Sequence, residues 1–142
     1  MKNKFIVILL FPKGADLHHH YSGSVYAETY LEYIENKNLW INRKSYAVAD
    51  YGYDRPPKSE RNEWSRVNSL KEDGYWVDVR VKIIESWSKL YFSYLNNPTD
   101  EHFFSTFESF DIPKKGTYNE GFKEIKKRAI SENVDYIETM FK

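Results

Sequence analysis

Residues 12–24 read PKGADLHHHYSGS, and this stretch decides both the fold and the chemistry that the chain predicts. Turn-forming residues stand at both ends, so Ala15 to His20 are predicted to form a short strand. Because alternate side chains of a strand share one face, His18 and His20 should point the same way and His19 the opposite way. The stretch therefore predicts two imidazoles side by side near the end of a strand.

Two imidazoles in this arrangement can bind one zinc ion through their ring nitrogens, at about 2.0–2.1 Å each. The chain contains no cysteine, so any metal site must use histidines and carboxylates. A run of three histidines can equally be a solvated segment or an incidental metal binder. The His-x-His pattern by itself leaves both interpretations open.

The segment before this stretch, residues 1–11, reads MKNKFIVILLF. Two lysines followed by an apolar run resemble the start of a secretory signal, although no Ala-x-Ala-like cleavage site follows. A buried parallel strand has the same apolar pattern. The two interpretations stay open, and so do a cytoplasmic and an exported location. The apolar run is too short for a membrane-spanning helix, which needs about 20 apolar residues.

Hydrophobic periodicity predicts helices and a second strand in the rest of the chain. Tyr26, Tyr30 and Ile34 fall on one helical face and predict a helix over 25–36, with Ser22 or Ser24 as its N-cap. Residues 40–76 are polar and aromatic and are predicted to be an insertion or long loop with one helical turn near 60–70.

Three further helices and the strand follow this insertion. Residues 77–95 fit two patterns, a strand in which Val77, Val79, Val81 and Ile83 alternate, and a helical stripe of Val77, Val81, Ile84, Tyr91 and Leu95. Their length favours a helix over 81–95. The remaining elements are helices over 101–110 (ended by Asp111-Ile112-Pro113) and 117–132, and a strand over 134–141. A strand, a helical crossover and a second strand form a βαβ unit, which predicts parallel pairing and a right-handed crossover.

Length and composition set limits on the function. The 142 residues suit one domain and are too few for a complete (β/α)8 barrel, which needs about 200 or more. Lys and Arg number 21 and so do Asp and Glu, so the chain lacks the positive charge excess of a nucleic-acid-binding arm. Nucleic acid is therefore not an expected partner.

Three segments resemble the adenosine deaminase family, in particular its longer bacterial and growth-factor-like branches. In the family pattern, Pro-Lys is followed by one variable residue, an acidic residue, Leu, His-x-His and a glycine three residues later. Residues 12–24 fit this pattern with one extra residue after Lys13, and the Val25-Tyr26-Ala27-Glu28 segment resembles its continuation. His102–Phe110 resembles a helical segment of those branches, and Asp135–Met140 resembles the family's second barrel strand.

The resemblance implies an α/β fold that is part of a (β/α)8 metal-dependent hydrolase barrel, with residues 12–142 as its amino-terminal portion. It implies zinc as the cofactor, with His18 and His20 as metal ligands. The family converts adenosine and water to inosine and ammonia, and His20, Ser22 and Gly23 would contact the purine nucleoside. Many members carry Asp where this chain has Ser22, and a serine can bind a sugar hydroxyl only without charge.

The family's later catalytic residues find no match in this chain. A His-x-x-Glu segment supplies the acid in the family, but Ser105 stands where His102 would require the glutamate. No catalytic residue is therefore assigned, and we expect an amino-terminal section that is inactive alone. The free edge of its second strand predicts self-association.

Two other interpretations remain open. The aromatic residues of the insertion could form a non-catalytic module that binds a sugar or nucleoside by stacking, or they could be buried. These residues are Tyr46, Tyr51, Tyr53, Trp64, Tyr75 and Trp76. A small metal-dependent hydrolase that completes its site with carboxylates from a second copy is the other interpretation.

Overall fold

The computed structural model describes residues 11–52, 55–89 and 98–141, and shows a mixed α/β chain with two small sheets. The strands are β1 (Gly14–His20), β2 (Trp40–Asn42), β3 (Val48–Ala49), β4 (Trp64–Arg66) and β5 (Val134–Met140). The α-helices are α1 (Tyr21–Ser24), α2 (Ala27–Asn36), α3 (Val67–Glu72), α4 (Trp76–Trp87), α5 (Thr99–Ser105), α6 (Asp111–Gly116) and α7 (Tyr118–Ser131). Short 3-10 turns cover Arg61–Glu63 and Glu108–Phe110.

The chain divides into two compact units. Unit 1 consists of Met1–Val25 together with Tyr118–Lys142, and unit 2 consists of Tyr26–Thr117. The predicted apolar leader over residues 1–11 lies almost entirely outside the described residues.

Unit 1 is built on the parallel pair β1 and β5, which agrees with the predicted pairing. The register joins His19 to Thr139 and His20 to Met140, and it shifts between Gly14 and Ala15. Gly14 has φ of +75°, a conformation that glycine adopts at little cost. Gly14 therefore accommodates the register shift at the start of β1.

A buried tyrosine organises the core of unit 1. Tyr21 is 1% exposed, and its ring centroid lies 5.2–5.5 Å from those of Tyr118, Phe122 and Phe141. Helix α7 ends as predicted near Asn133, whose φ of +57° is the left-handed conformation that closes a helix. The tyrosine therefore joins α1, directly after β1, to the α7–β5 segment.

In unit 2 the segment predicted to be a long loop contains a three-stranded antiparallel sheet, in the order β3-β2-β4. The helical turn predicted near 60–70 is present as the 3-10 turn Arg61–Glu63 and the start of α3. The predicted loop was wrong, because strands of two or three residues are too short to show alternation. Arg66 stabilises this sheet by donating to the Asn38 carbonyl (3.0 Å) and the Gly52 carbonyl (2.6 Å). Its guanidinium also lies 4.8 Å from the centroid of the Trp40 ring.

The predicted helix over 25–36 exists as α2, with Tyr30, Leu31 and Ile34 fully buried. Its predicted cap was wrong. Tyr26 is the N-cap and is exposed, while the Ser24 hydroxyl donates to the His20 carbonyl (2.6 Å).

Two other predicted boundaries also differ from the structure. Helix α4 begins at Trp76 and buries Trp76, Val79, Ile83 and Trp87, so the stripe through Val77 and Val81 was wrong. Tyr91 and Leu95 lie outside the described residues. Asp111-Ile112-Pro113 begins α6 rather than ending a helix, because proline is tolerated in a first turn, where its missing N–H is not needed.

Candidate metal centre

The rings of His18 and His20 converge at the end of β1. Their Nε2 atoms are 3.2 Å apart, and the ring centroids are 5.0 Å apart at an interplanar angle of 67°. Two nitrogens bound to one tetrahedral zinc at the usual bond length lie about 3.3 Å apart. The pair therefore has the spacing of two ligands of a single metal ion, and both rings are exposed.

His19 points to different partners. Its Nδ1 lies 3.1 Å from the Thr139 hydroxyl on β5, and its side chain is half-buried. Burial lowers the pKa of the His19 imidazole, Asp16 partly opposes this, and the Arg128 guanidinium lowers the pKa further. A neutral His19 thus fixes β1 against β5 and leaves its neighbours to face the solvent. Thr139 was not predicted as a partner of His19. Its position opposite His19 depends on the register of the two strands.

Hydrogen bonds hold the backbone on both sides of the pair. Before it, the Asp16 carboxylate accepts from the His18 N–H (3.2 Å). After it, the His20 carbonyl accepts from Ser24, and the Ser24 carbonyl accepts from Arg128 on α7 (2.5 Å). These bonds hold the backbone of the strand end from which both imidazoles project.

Ser22 and Gly23 lie in α1, immediately after β1. Ser22 is half-buried and Gly23 is exposed. A Cβ atom at Gly23 would meet nothing within 4 Å, so the packing of this structure does not require glycine there. Gly23 therefore borders open space three residues after His20 in the chain.

The described residues do not bring a third ligand to this pair. Across residues 11–52, 55–89 and 98–141, no group of three or more His, Asp or Glu side chains could hold a metal ion. His102 belongs to unit 2, where its Nε2 lies 3.0 Å from the Ser88 carbonyl. The residues present therefore fit half of a tetrahedral zinc site.

The aromatic residues of the predicted insertion are mostly packed against other side chains. Tyr51 contacts Trp40 and Trp64 edge to face, and the buried Trp76 donates from its indole N–H to Glu35 (2.9 Å). Tyr46 is half-buried, and Tyr53 lies outside the described residues. Tyr75 differs from them, because 59% of it is exposed.

No family model, curated protein or solved structure matches this chain. In the part of the chain that the structure describes, none of the helices has the length and apolar character needed to cross a bilayer.

Proposed function

We propose that this chain supplies the first two metal ligands, His18 and His20, of a zinc-dependent deaminase acting on adenosine or a related purine nucleoside. The observation that supports this most strongly is the 3.2 Å separation of the two Nε2 atoms. The same approach also lets one neutral imidazole donate a hydrogen bond to the other, and a bound zinc ion would replace that hydrogen bond. The resemblance of residues 12–24 to the deaminase family supports the same function.

The residues around the pair would each have a defined part. A bound zinc ion lowers the pKa of a coordinated water, so that hydroxide is present near neutral pH. His18 and His20 would hold the ion, while Asp16 and Ser24 orient their backbone through the hydrogen bonds described above. The Ser22 hydroxyl can donate to or accept from a sugar hydroxyl of the nucleoside.

Deamination of adenosine also needs a further metal ligand and a proton donor for the purine ring. The described residues do not supply them beside His18 and His20. The proposed function therefore includes a requirement for groups from outside these residues. We expect the 142-residue chain to bind zinc weakly and to release little or no ammonia from adenosine when alone.

Zinc binding by the purified chain tests this proposal, measured by isothermal titration calorimetry. Three proteins are compared: the unmodified chain, the His18→Ala/His20→Ala variant and the His19→Gln variant. We expect the double variant to lose at least about tenfold in zinc affinity, a difference of roughly 1.4 kcal/mol. The His19→Gln variant should bind zinc as the unmodified chain does.

Ammonia release from adenosine is measured on the same samples with added zinc. Equal zinc affinity in the double variant and the unmodified chain would contradict the proposal. Ammonia release that persists in the double variant would contradict it too, because the reaction would then not use these histidines.

A further inference from the structure

A cleft of about 380 Å³ lies in unit 2, whereas the histidine pair belongs to unit 1. It lies beside the turn that follows β2, the 3-10 turn before β4 and the start of α4. Its lining residues are Arg43, Lys44, Asn62, Glu63, Tyr75 and Val79. The volume falls near the lower end of the range for small-molecule sites, about 300–1,000 Å³.

Two of the three charged side chains that line this cleft pair with each other, and the third donates to a backbone carbonyl. Lys44 forms an ion pair with Glu63, and Arg43 donates from Nη2 to the Asn62 carbonyl (2.5 Å). The hydrogen bond from Lys44, together with one from Asn42, lowers the pKa of the Glu63 carboxyl, so it is ionised at neutral pH. This carboxylate would repel an anionic ligand beside it, although Arg43 and Lys44 carry two positive charges nearby, whereas a neutral ligand can hydrogen-bond to all three groups.

The polar groups of the cleft include both donors and acceptors. Arg43 and Lys44 only donate, Glu63 only accepts, and the Asn62 amide does both. A hydroxyl group both donates and accepts, so neighbouring hydroxyls of a sugar can bridge a cation and a carboxylate. This combination of side chains suits a polyhydroxylated ligand.

The cleft also has an apolar part. Tyr75 is 59% exposed, and Val79 lies one helical turn further along α4. A rigid, amphipathic tyrosine ring offers contact area at a small entropy cost. The C–H face of a sugar ring can pack on such a surface while the hydroxyls reach the polar groups.

We propose that this cleft binds a neutral carbohydrate of one or two hexose rings, with Tyr75 as the packing surface. Arg43, Lys44, Asn62 and Glu63 would bind the hydroxyls. The proposal is independent of the zinc proposal, since it concerns other residues in the other unit.

An NMR titration of the ¹⁵N-labelled chain tests the proposal. The probes are methyl glycosides of glucose, galactose, mannose and N-acetylglucosamine, then lactose and cellobiose, with inorganic phosphate as the anionic comparison. We expect at least one sugar to give saturable amide shifts confined to residues 43–44, 62–63 and 75–79.

Two variants of the cleft and one control sharpen the test. Tyr75→Ala and Glu63→Gln should each weaken sugar binding, by about tenfold for Tyr75→Ala if the stacked ring contributes as aromatic platforms usually do. Tyr136→Ala is the control, because Tyr136 is 55% exposed but lies on β5 in unit 1. Thermal melts followed by circular dichroism confirm that each variant is folded.

Several outcomes would overturn the proposal. One is the absence of saturable shifts with every sugar in the panel. A second is saturable phosphate binding at these residues without sugar binding, which would identify an anion site instead. A third is an equal loss of sugar affinity in Tyr136→Ala and Tyr75→Ala.

Discussion

Gly121 shows how closely single residues fit in unit 1. A Cβ atom at this position in α7 would lie 2.1 Å from the Tyr21 hydroxyl oxygen and 2.8 Å from Val25 Cγ2. Tyr21 cannot move aside easily, since it is buried among three other aromatic rings. Glycine is therefore required here by packing, although it is a poor helix former.

Replacing this glycine tests the packing directly. Alanine gains about 1 kcal/mol of helix propensity, but overpacking costs about 1–3 kcal/mol. Because a Cβ atom 2.1 Å from a buried hydroxyl is a severe overlap, the overpacking cost should lie in the upper part of this range, at about 2–3 kcal/mol. We expect Gly121→Ala to lower the free energy of unfolding by about 1–2 kcal/mol, measured by urea denaturation. Gly23→Ala is the control, because a Cβ atom there meets nothing within 4 Å. An unchanged or increased stability of Gly121→Ala would contradict this account.

The hydrogen bond between His19 and Thr139 is a second feature at this scale. Thr139→Val removes the hydroxyl with little change of shape, so the ring nitrogen loses its partner across the sheet. We expect a loss of about 1 kcal/mol in the free energy of unfolding. Thr139→Ser, which keeps a hydroxyl, should lose less. Equal losses in the two variants would show that the hydroxyl contributes nothing.

At the scale of elements, Arg66 connects parts of the three-stranded sheet in unit 2. One guanidinium donates to carbonyls of Asn38 and Gly52 and covers the Trp40 ring. A lysine ammonium is a compact charge on a flexible stem and cannot reproduce this fork. The short strands β2 and β4 thus depend on a side chain as well as on their few backbone bonds.

Arg66→Lys measures that dependence. We expect a loss of about 1–2 kcal/mol in thermal or urea unfolding, because one or both charged hydrogen bonds are lost. Arg61→Lys, at an exposed position in the preceding 3-10 turn, should change stability by less than about 0.5 kcal/mol. Similar effects of the two substitutions would mean that the carbonyl contacts of Arg66 do not stabilise the sheet.

At the scale of the whole molecule, the apolar core is divided unequally. Among the described residues, the buried apolar side chains of unit 1 are Tyr21, Val25 and Ile125. Unit 2 contains the rest of them, including Tyr30, Leu31, Ile34, Ile41, Val67, Leu70 and Ile83. Since burial of apolar surface drives folding, we expect the apolar core of unit 2 to be large enough for this unit to fold by itself.

A fragment comprising residues 26–117 tests this independence. We expect it to unfold in one cooperative thermal transition, followed by circular dichroism, and to keep any sugar binding of the full chain. A fragment that melts without a cooperative transition would contradict the expectation.

The parallel pair in unit 1 leads to a prediction about association. Parallel sheets are normally covered on both faces, and free strand edges favour pairing with other chains. Leu17 on β1 is 65% exposed. We expect the chain to self-associate, with Leu17→Lys reducing the association in sedimentation velocity over a concentration series. Val81→Lys on α4, in unit 2, should leave it unchanged. A monomer at every concentration, or an equal effect of Val81→Lys, would contradict this prediction.

Local pattern was enough to predict several elements of this protein. Alternation along a strand placed His18 and His20 on one side and His19 on the other, and helical periodicity predicted α2 and α7. Strand β5 and its parallel pairing with β1 were also predicted. These elements could be predicted because each one is seven or more residues long, which is enough for its hydrophobic period to be visible in the sequence. The barrel, the zinc ion and the nucleoside remain predictions from resemblance.

Tertiary structure alone decided the rest. Strands β2, β3 and β4 are two or three residues long and are specified by their partners rather than by their own pattern. The apolar stripe of α4 was predicted on the wrong face, because apolar residues surround this helix and only packing selects Trp76, Val79, Ile83 and Trp87 for burial. The cleft beside Tyr75 joins residues from three separate segments. Likewise, the sequence placed His18 and His20 on one face, but their 3.2 Å approach depends on ring rotations that no local pattern encodes.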